Sequence, residues 1–255
     1  MYRELNKKRI IIERRKPYKD NIVEFLKELD TVDVLYTSAK LDGSTITRDM
    51  ITGMLKGAFY TDVSLMEHAK VQRYREVIEE LYNMSRMKIG LSQPVMTHIY
   101  SRIMDKPVND YRDCNPVVYE WDYNPPHPRE IIGQLHTLVN WIERDGAEYD
   151  IVNPMETSDL QDEPSNFVLR AAYLHNRILE IYPYNEGNSE FARFVMYYYL
   201  ISKGYPVFEL LFSESEYNEA VAEYLASGNI GPFYQGLMQS LMAKMELIMT
   251  LTAID

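Results

Sequence analysis

Apolar residues recur every three to four positions through most of the chain, which is the spacing of amphipathic helices. Over residues 21–105 this pattern predicts several consecutive helices, and Ser92 is placed to cap the last of them. Downstream it predicts helices over 128–142, about 164–181 and 188–204, the last capped by its first residue, an asparagine. The pattern therefore indicates a predominantly helical protein.

The C-terminal part continues this pattern. Ser213 followed by Glu216 has the sequence of a capping box and predicts another helix start. A methionine-rich amphipathic segment over 237–248 ends the helical pattern, and such a stripe is typical of a core or of a partner surface. The expectation of a homodimer rests on this segment alone.

One segment has a different period. Over residues 117–123 apolar and polar side chains alternate, which predicts a half-exposed strand. Together with Tyr111 and Arg112 upstream, this strand suggests a small β-hairpin. Because no repeat, low-complexity segment or linker divides the chain, we expect one all-α domain over 1–255 with a small hairpin.

Composition narrows the possible functions. The 255 residues carry a net charge of −11, which argues against a nucleic-acid partner that needs a basic surface. The apolar run Ile10–Ile12 is too short for a membrane span or signal peptide, and the single Cys114 offers neither a disulfide nor a zinc site. We therefore expect a cytoplasmic protein with no membrane partner. Tyrosine is unusually frequent, with 21 residues.

The turn before the helix at 188–204 carries the pattern of a chemical site. A helix N-terminus presents free N–H groups and a positive dipole end, and so attracts anions. Gly187 lets the main chain approach a phosphate, Glu186 is suited to a magnesium ion, and Arg193 could reach back from the helix. The alternative is an ordinary helix–turn–helix connection with a surface arginine.

At these residues the sequence resembles the Fic family, whose signature H-x-F-x-(D/E)-G-N-G-R-x-x-R lies between two helices. Here residues 182–193 read YPYNEGNSEFAR. The resemblance extends over roughly 30–240. It implies a Fic-like helical core over about 91–255 and a helical N-terminal part over about 1–90. Members of this family typically transfer AMP from ATP to a hydroxyl side chain of another protein.

The resemblance also implies roles for individual residues. Glu186 would hold Mg²⁺, and Asn188 would serve both catalysis and binding. The expected ligand is ATP, or ADP or another nucleotide, bound by Gly187, Asn188, Ser189 and Arg193. Tyr111 and Arg112, with the strand-like segment, are similar to the family's flap. That hairpin aligns a target protein by adding backbone hydrogen bonds to it.

A second motif lies before the core. Residues 38–43 resemble the family's inhibitory motif, (S/T)-x-x-x-E-(G/N), with Ser38, Asp42 and Gly43 at the defining positions. The resemblance implies a regulatory glutamate that holds a signature arginine and so blocks the γ-phosphate. Asp42 replaces the glutamate, and we take that arginine to be the one replaced by Glu190. We therefore expect like charges to face each other and this clasp not to form.

Three departures fall on the signature positions that matter most for chemistry. Tyr182 stands where the family has its general base, a histidine; Ser189 replaces a glycine; and Glu190 replaces an arginine. A tyrosine with a pKa of about 10 is a poor base at neutral pH, and losing a positioned base costs about 10²- to 10⁴-fold in rate. The sequence therefore predicts an impaired protein adenylyltransferase with a degenerate site.

The same substitutions affect ligand preference. Because Glu190 repels a γ-phosphate, the protein should bind ADP at least as well as ATP. The alternative is a catalytically dead module that binds a nucleotide, or a target through the flap.

Overall fold

The structure is a computed structural model that describes residues 1–151 and 165–253. Within these residues it is mostly helical, as the sequence pattern predicts. Its α-helices are α1 (Tyr2–Arg14), α2 (Asp20–Leu41), α3 (Arg48–Leu55), α4 (Leu65–Arg86), α5 (Gln93–Met104), α6 (Ile131–Ile142), α7 (Phe167–Ile181), α8 (Asn188–Ser202), α9 (Glu214–Ser227) and α10 (Gly231–Leu251). Residue 164, where the sequence places the start of α7, lies outside the described residues.

Helix α8 forms the centre of the core. Each side chain from Phe191 to Leu200 is at most 1% exposed, so this helix is buried around its whole circumference rather than along one stripe. Helix α7 packs along it, and α4 and α5 cover other parts of its surface. The sequence predicts only an inward-facing stripe here, because the tyrosines of α8 read as partly polar.

The outer helices bring the N-terminal segment to the core. Helix α1 packs against α10, while α2 contacts α3, α4 and α9. Helix α2 ends at Leu41, and Gly43 follows with a φ of +69°, a left-handed value that favours glycine. The residues of the inhibitory-like motif therefore lie at the C-terminal end of α2.

The cap residues can be compared with the sequence prediction. Ser92 accepts a hydrogen bond from the main-chain N–H of Val95, and Ser213 forms the predicted capping box with Glu216. The prediction that Asn188 caps α8 is wrong. The capping position is Gly187, which has no side chain to bond to the helix, and Asn188 is the first helical residue.

The β-hairpin is not confirmed, because the described residues contain isolated bridges but no sheet. A single 3₁₀ turn, Tyr119–Trp121, occupies the segment 117–123 and is closed by a pair of hydrogen bonds between Val118 and Tyr123. Tyr119 is 88% exposed, whereas Trp121 is buried and donates a hydrogen bond to Asn218. Because the chain reverses direction within segment 117–123, its alternate side chains cannot lie on one face as they would in a strand. The alternation of apolar and polar residues nevertheless resembles that of a strand.

None of the helices in the described ranges has the length and apolar character that a membrane crossing requires.

A buried ion pair holds the start of α7. Arg170 donates from Nε to Glu148 Oε2 at 2.6 Å, and both side chains are at most 4% exposed. Glu148 also accepts from the main-chain N–H of Asn166, the residue that caps α7. Removing one member of such a pair leaves an uncompensated charge in a low-dielectric environment.

We predict that Arg170→Met lowers the free energy of unfolding by about 3 to 5 kcal/mol, because Glu148 loses its counterion. Adding Glu148→Gln should recover a substantial part, since the amide still accepts from Asn166 but carries no charge. Urea denaturation measures both effects. Arg144→Met is the control, because Arg144 and its partner Asp150 are more than half exposed and such pairs contribute about 1 kcal/mol or less. A double variant as unstable as Arg170→Met would contradict this account.

Candidate functional site

The turn between α7 and α8 depends on two left-handed residues. Tyr182, directly after α7, has a φ of +49°, and Gly187, directly before α8, has a φ of +71°. A Cβ atom on Gly187 would lie 2.5 Å from Sδ of Met104. The left-handed backbone therefore favours glycine at position 187, and a side chain there would also require Met104 to move.

Asn188 closes this turn with its side chain. Its Nδ2 donates to the main-chain oxygen of Tyr184 at 2.8 Å, and its Oδ1 accepts from the main-chain N–H of Tyr184 at 3.0 Å. Asn188 is 2% exposed. The amide thus fixes the turn, which explains why this asparagine does not cap α8.

Arg112 fastens the turn from outside. Its guanidinium donates only to groups of this region: the main-chain oxygens of Ile181, Tyr182, Cys114 and Pro126, and Oδ1 of Asn115. Its own N–H donates to the main-chain oxygen of Pro183 at 3.0 Å. A cation at these carbonyls also suits the negative end of α7. Because Arg112 is 2% exposed, its side chain is not available to a target protein.

A cluster of aromatic rings lies behind the turn. Tyr184 stacks on Tyr100, with ring centroids 3.3 Å apart, and on Tyr111, with centroids 5.3 Å apart. Phe191 meets Tyr184 edge-on at 5.1 Å. Tyr111 also pairs with Tyr184 through an isolated antiparallel bridge. Part of the tyrosine surplus therefore serves to fix the turn, and Tyr111 belongs to this cluster rather than to a hairpin.

A cavity of about 260 Å³ opens above the turn. It brings together most of the residues that the sequence predicts for the site, and it adds others from α2, α9 and the 3₁₀ turn. Its lining consists of Leu41, Asp42, Glu120, Tyr182, Gly187, Asn188, Ser189, Glu190, Arg193, Glu214 and Tyr217. Of the other predicted residues, Glu186, Tyr111, Arg112, Ser38 and Gly43 do not line it.

Arg193 is the buried cation of this cavity. The residue is 1% exposed, and its Nη2 lies 3.3 Å from Oγ of Ser38 and 3.4 Å from Oδ1 of Asp42. Its Nε and Nη1 are buried without hydrogen-bond partners. Burial opposes the charge, but nearby Asp42, Tyr217 and Glu190 outweigh this effect and raise the pKa of Arg193. The cavity therefore contains a permanent cation with unused donors, which suits an anionic ligand.

Comparison with known proteins identifies the family. Residues 90–200 match the model of the Fic/DOC family. A Fic domain-containing signaling protein from Bacteroides thetaiotaomicron VPI-5482 superposes with a TM-score of 0.76 at 19% identity, over 100% of this chain and 99% of that one. This chain contains a Fic-family domain over residues 90–200.

Other Fic proteins are similar over part of their length. The protein adenylyltransferase Fic of Nematostella vectensis is 22% identical over 78% of this chain, which spans 44% of that protein. The protein adenylyltransferase fic-1 of Caenorhabditis elegans is also 22% identical over 78% of the chain, spanning 37% of its own length. The chain thus covers less than half of these relatives. The structure of Caenorhabditis elegans Fic-1 has a TM-score of 0.71 at 19% identity, covering 98% of this chain and 70% of that one. At this identity, the structural likeness establishes the Fic fold.

Tyr182, at the histidine position of the Fic signature, lines the cavity and is half-buried. Burial raises the pKa of its phenol, and a hydrogen bond with Asn188 offsets only part of this effect. The phenol is therefore protonated at neutral pH. It can donate a hydrogen bond, but it is unsuited to taking a proton from a hydroxyl group.

Glu190, at the first arginine position, has a cation beside it that the sequence does not reveal. Nζ of Lys70, on α4, lies 2.7 Å from Oε1 of Glu190, which also accepts a hydrogen bond from Tyr74. Burial would raise the pKa of Glu190, but Lys70 and Arg193 outweigh this and lower it. Lys70 belongs to the N-terminal part of the chain, so no contiguous motif could point to it.

The expectation that Asp42 faces a like charge and forms no clasp is wrong. Asp42 contacts Arg193, the last arginine of the Fic signature, and its Oδ2 lies 3.4 Å from Nζ of Lys70. The physical reason is that residues 190 and 193 are three apart on one helix and share a face. Asp42 therefore pairs with Arg193, while Lys70 pairs with both Asp42 and Glu190. Lys70 then neutralises Glu190, and a clasp forms with different partners.

The predicted magnesium ligand does not fit a metal site as it is arranged. The Glu186 side chain is 58% exposed, pairs with Nζ of Lys106 at 2.9 Å and lies outside the cavity lining. In the part of the chain that the structure describes, no three His, Cys, Asp or Glu side chains are grouped for a metal ion. Binding of Mg²⁺ by Glu186 stays a prediction, and it requires this side chain to leave Lys106.

We predict that Arg112→Ala lowers the free energy of unfolding by about 3 kcal/mol, because several carbonyl oxygens around the turn lose a charged donor. Arg112→Lys should recover less than half of this loss, since one ammonium group cannot replace the branched guanidinium. Thermal and urea denaturation provide the measurement. The exposed Arg129→Ala serves as the control. Equal stability of Arg112→Ala and the control would rule out the fastening role of Arg112.

Proposed function

We propose that this Fic protein binds the phosphate groups of a nucleotide in the cavity above the turn and that its transfer of AMP to a protein hydroxyl is strongly impaired. The observation that carries the proposal is Arg193, a buried cation whose Nε and Nη1 have no partners. The first turn of α8 supports it, because the N–H groups of residues 188–190 have no acceptor within the helix. The partners in this proposal are a nucleotide and a cytoplasmic target protein.

Asp42 regulates the cavity in this proposal. It is the anion that compensates Arg193, so a phosphate group must displace it. With Ser38 and Gly43 it forms the end of α2, which resembles the inhibitory motif of the family. Both oxygens of Asp42 lie 3.4 Å from a cation, which is longer than the 2.7–2.9 Å typical of a charge-assisted hydrogen bond. This loose contact supports a reversible role.

The charges of the cavity favour a small phosphate ligand over a triphosphate. Its lining contains Asp42, Glu120, Glu190 and Glu214, against the single cation Arg193. Burial raises the pKa of Glu120, and the nearby carboxylates Glu214 and Asp42 add to this, while a hydrogen bond with Asn218 offsets only part of it. Lys70 offsets Glu190 but leaves the other carboxylates, so we propose ADP or a smaller phosphate as the preferred ligand.

Tyr182 is the reason to propose impaired transfer. Two relatives are named protein adenylyltransferases, and by family resemblance their reaction needs a base at this position. A protonated, half-buried phenol supplies no such base. The alternative of a module that binds a target through Tyr111 and Arg112 receives less support, because both residues are engaged with the turn.

We predict that titration calorimetry detects weak ADP binding by the wild type and binding about tenfold tighter, or more, by Asp42→Asn, because the internal competitor loses its charge. Adding Arg193→Gln to Asp42→Asn should abolish binding. Asp49→Asn, which removes an acid from the first turn of α3, is the control and should leave the affinity unchanged. No heat from either the wild type or Asp42→Asn at millimolar ADP would contradict nucleotide binding.

We predict that Tyr182→His increases the transfer of label from α-phosphate-labelled ATP to proteins of a lysate, because it restores a base. The expected gain is about 10²- to 10⁴-fold over the wild type. The control, Tyr182→Phe, should resemble the wild type. If the wild type transfers label efficiently and Tyr182→Phe does not, then Tyr182 itself takes part in the chemistry and the protein is not impaired.

A further inference from the structure

Lys70 is a cation that pairs with two residues of the cavity lining, Glu190 and Asp42, from a helix outside the Fic signature. Its Nζ lies 2.7 Å from Oε1 of Glu190 and 3.4 Å from Oδ2 of Asp42. It also lies 5.2 Å from the ring centroid of Tyr74. The side chain of Lys70 is 26% exposed. Lys70 is therefore held beside two lining residues and is still partly exposed to solvent.

Asp42 lies between two cations. Its Oδ1 faces Nη2 of Arg193 and its Oδ2 faces Nζ of Lys70, each at 3.4 Å. A phosphate group likewise carries several oxygens on one atom and can direct two of them at different cations. The position of Asp42 therefore marks where a phosphate would contact both cations after displacing this carboxylate.

We propose that Lys70 is the second phosphate-binding cation of this site and takes the place of the arginine that position 190 lacks. The proposal rests on the nucleotide binding proposed above and names an additional ligand-binding residue. Arg193 contributes its unpartnered nitrogens from α8, and Lys70 contributes an ammonium group from α4. Glu190 is then a positioning residue, because its carboxylate holds Lys70 beside the cavity.

Compared with the family signature, this arrangement places the second positive charge on a different helix. In the family signature both cations stand on the same helix, three residues apart. Here one stays on α8 and the other comes from α4, which lies outside the matched residues 90–200. Phosphate binding therefore depends on the packing of α4 against α8 and not only on the signature turn.

The test measures ADP binding by titration calorimetry in the full chain carrying Asp42→Asn, so that the competing carboxylate is neutral. Adding Lys70→Gln should weaken ADP binding at least about tenfold, because a charge-assisted hydrogen bond is lost. Adding Lys70→Arg should keep the affinity within about threefold. The matched control is Lys56→Gln, since Lys56 pairs with Glu28 on the surface, whereas the partners of Lys70 line the cavity. Thermal denaturation of every variant verifies folding.

Two further measurements separate a ligand contact from a structural role. In Asp42→Asn, added salt should weaken ADP binding, and it should do so less steeply once Lys70 is glutamine, because one charge contact is missing. Adding Glu190→Lys to the Asp42→Asn/Lys70→Gln variant should restore the affinity, because it returns a cation to α8. Failure to restore it would overturn the statement that Lys70 stands in for a cation at position 190.

The remaining outcomes are also decisive. If Asp42→Asn binds ADP and Lys70→Gln changes neither its affinity nor its salt dependence, the role of Lys70 is overturned while nucleotide binding stands. If Asp42→Asn and the wild type bind no ADP at millimolar concentration, nucleotide binding itself is overturned, and the role of Lys70 with it.

Discussion

Arg193 carries its charge inside a helix that is buried on every side, and the arrangement of the site follows from this constraint. A buried charge is costly unless an opposite charge accompanies it. The compensating carboxylate, Asp42, comes from the end of α2, so the N-terminal helices must pack against the Fic core. The segment that resembles an inhibitory motif is therefore also part of the electrostatic balance of the core. Displacing it is favourable only when another anion takes over its contact.

The substitutions in the signature can be understood as one set of charges. Glu190 replaces a cation, yet the site does not simply become more negative, because Lys70 lies against it. The contacts between Asp42 and Arg193 and between Glu190 and Lys70 form a balanced group in which each charge has an opposite neighbour. Tyr182 introduces no charge, because its phenol stays protonated. In the proposed function, the chain keeps an anion-binding geometry and lacks the group that would accept a proton.

The sequence predicts the local features of this protein well and its long-range contacts poorly. Helices with clear periodicity and caps such as Ser92 and Ser213 are recognised, because both signals lie within a few residues. The signature turn is found for the same reason. The short segment 117–123 is misread, since alternation over seven residues fits both a strand and a 3₁₀ turn closed by one bridge.

Lys70 and Arg112 show why the rest could not be predicted. Each acts on residues about 70 or more positions away, and nothing in its own neighbourhood distinguishes it from a surface cation. The full burial of α8 cannot be predicted from its sequence for a related reason. Tyrosine is a partly polar residue type, yet here the tyrosine rings fill the core. Only the packing of separate helices assigns these residues their roles.

The burial of α8 also restricts how the sequence of this site can diverge. From Phe191 to Leu200 each side chain is fixed by neighbours on all sides, so a change there disturbs packing in several directions. Ser189 and Glu190, at the first turn, are only partly buried and border a cavity. Mutational drift can therefore alter the charge and shape of the ligand site while the scaffold beneath it stays nearly constant. A family built on such a helix can acquire new specificities, or lose activity, through substitutions confined to one turn and to the partners that reach it.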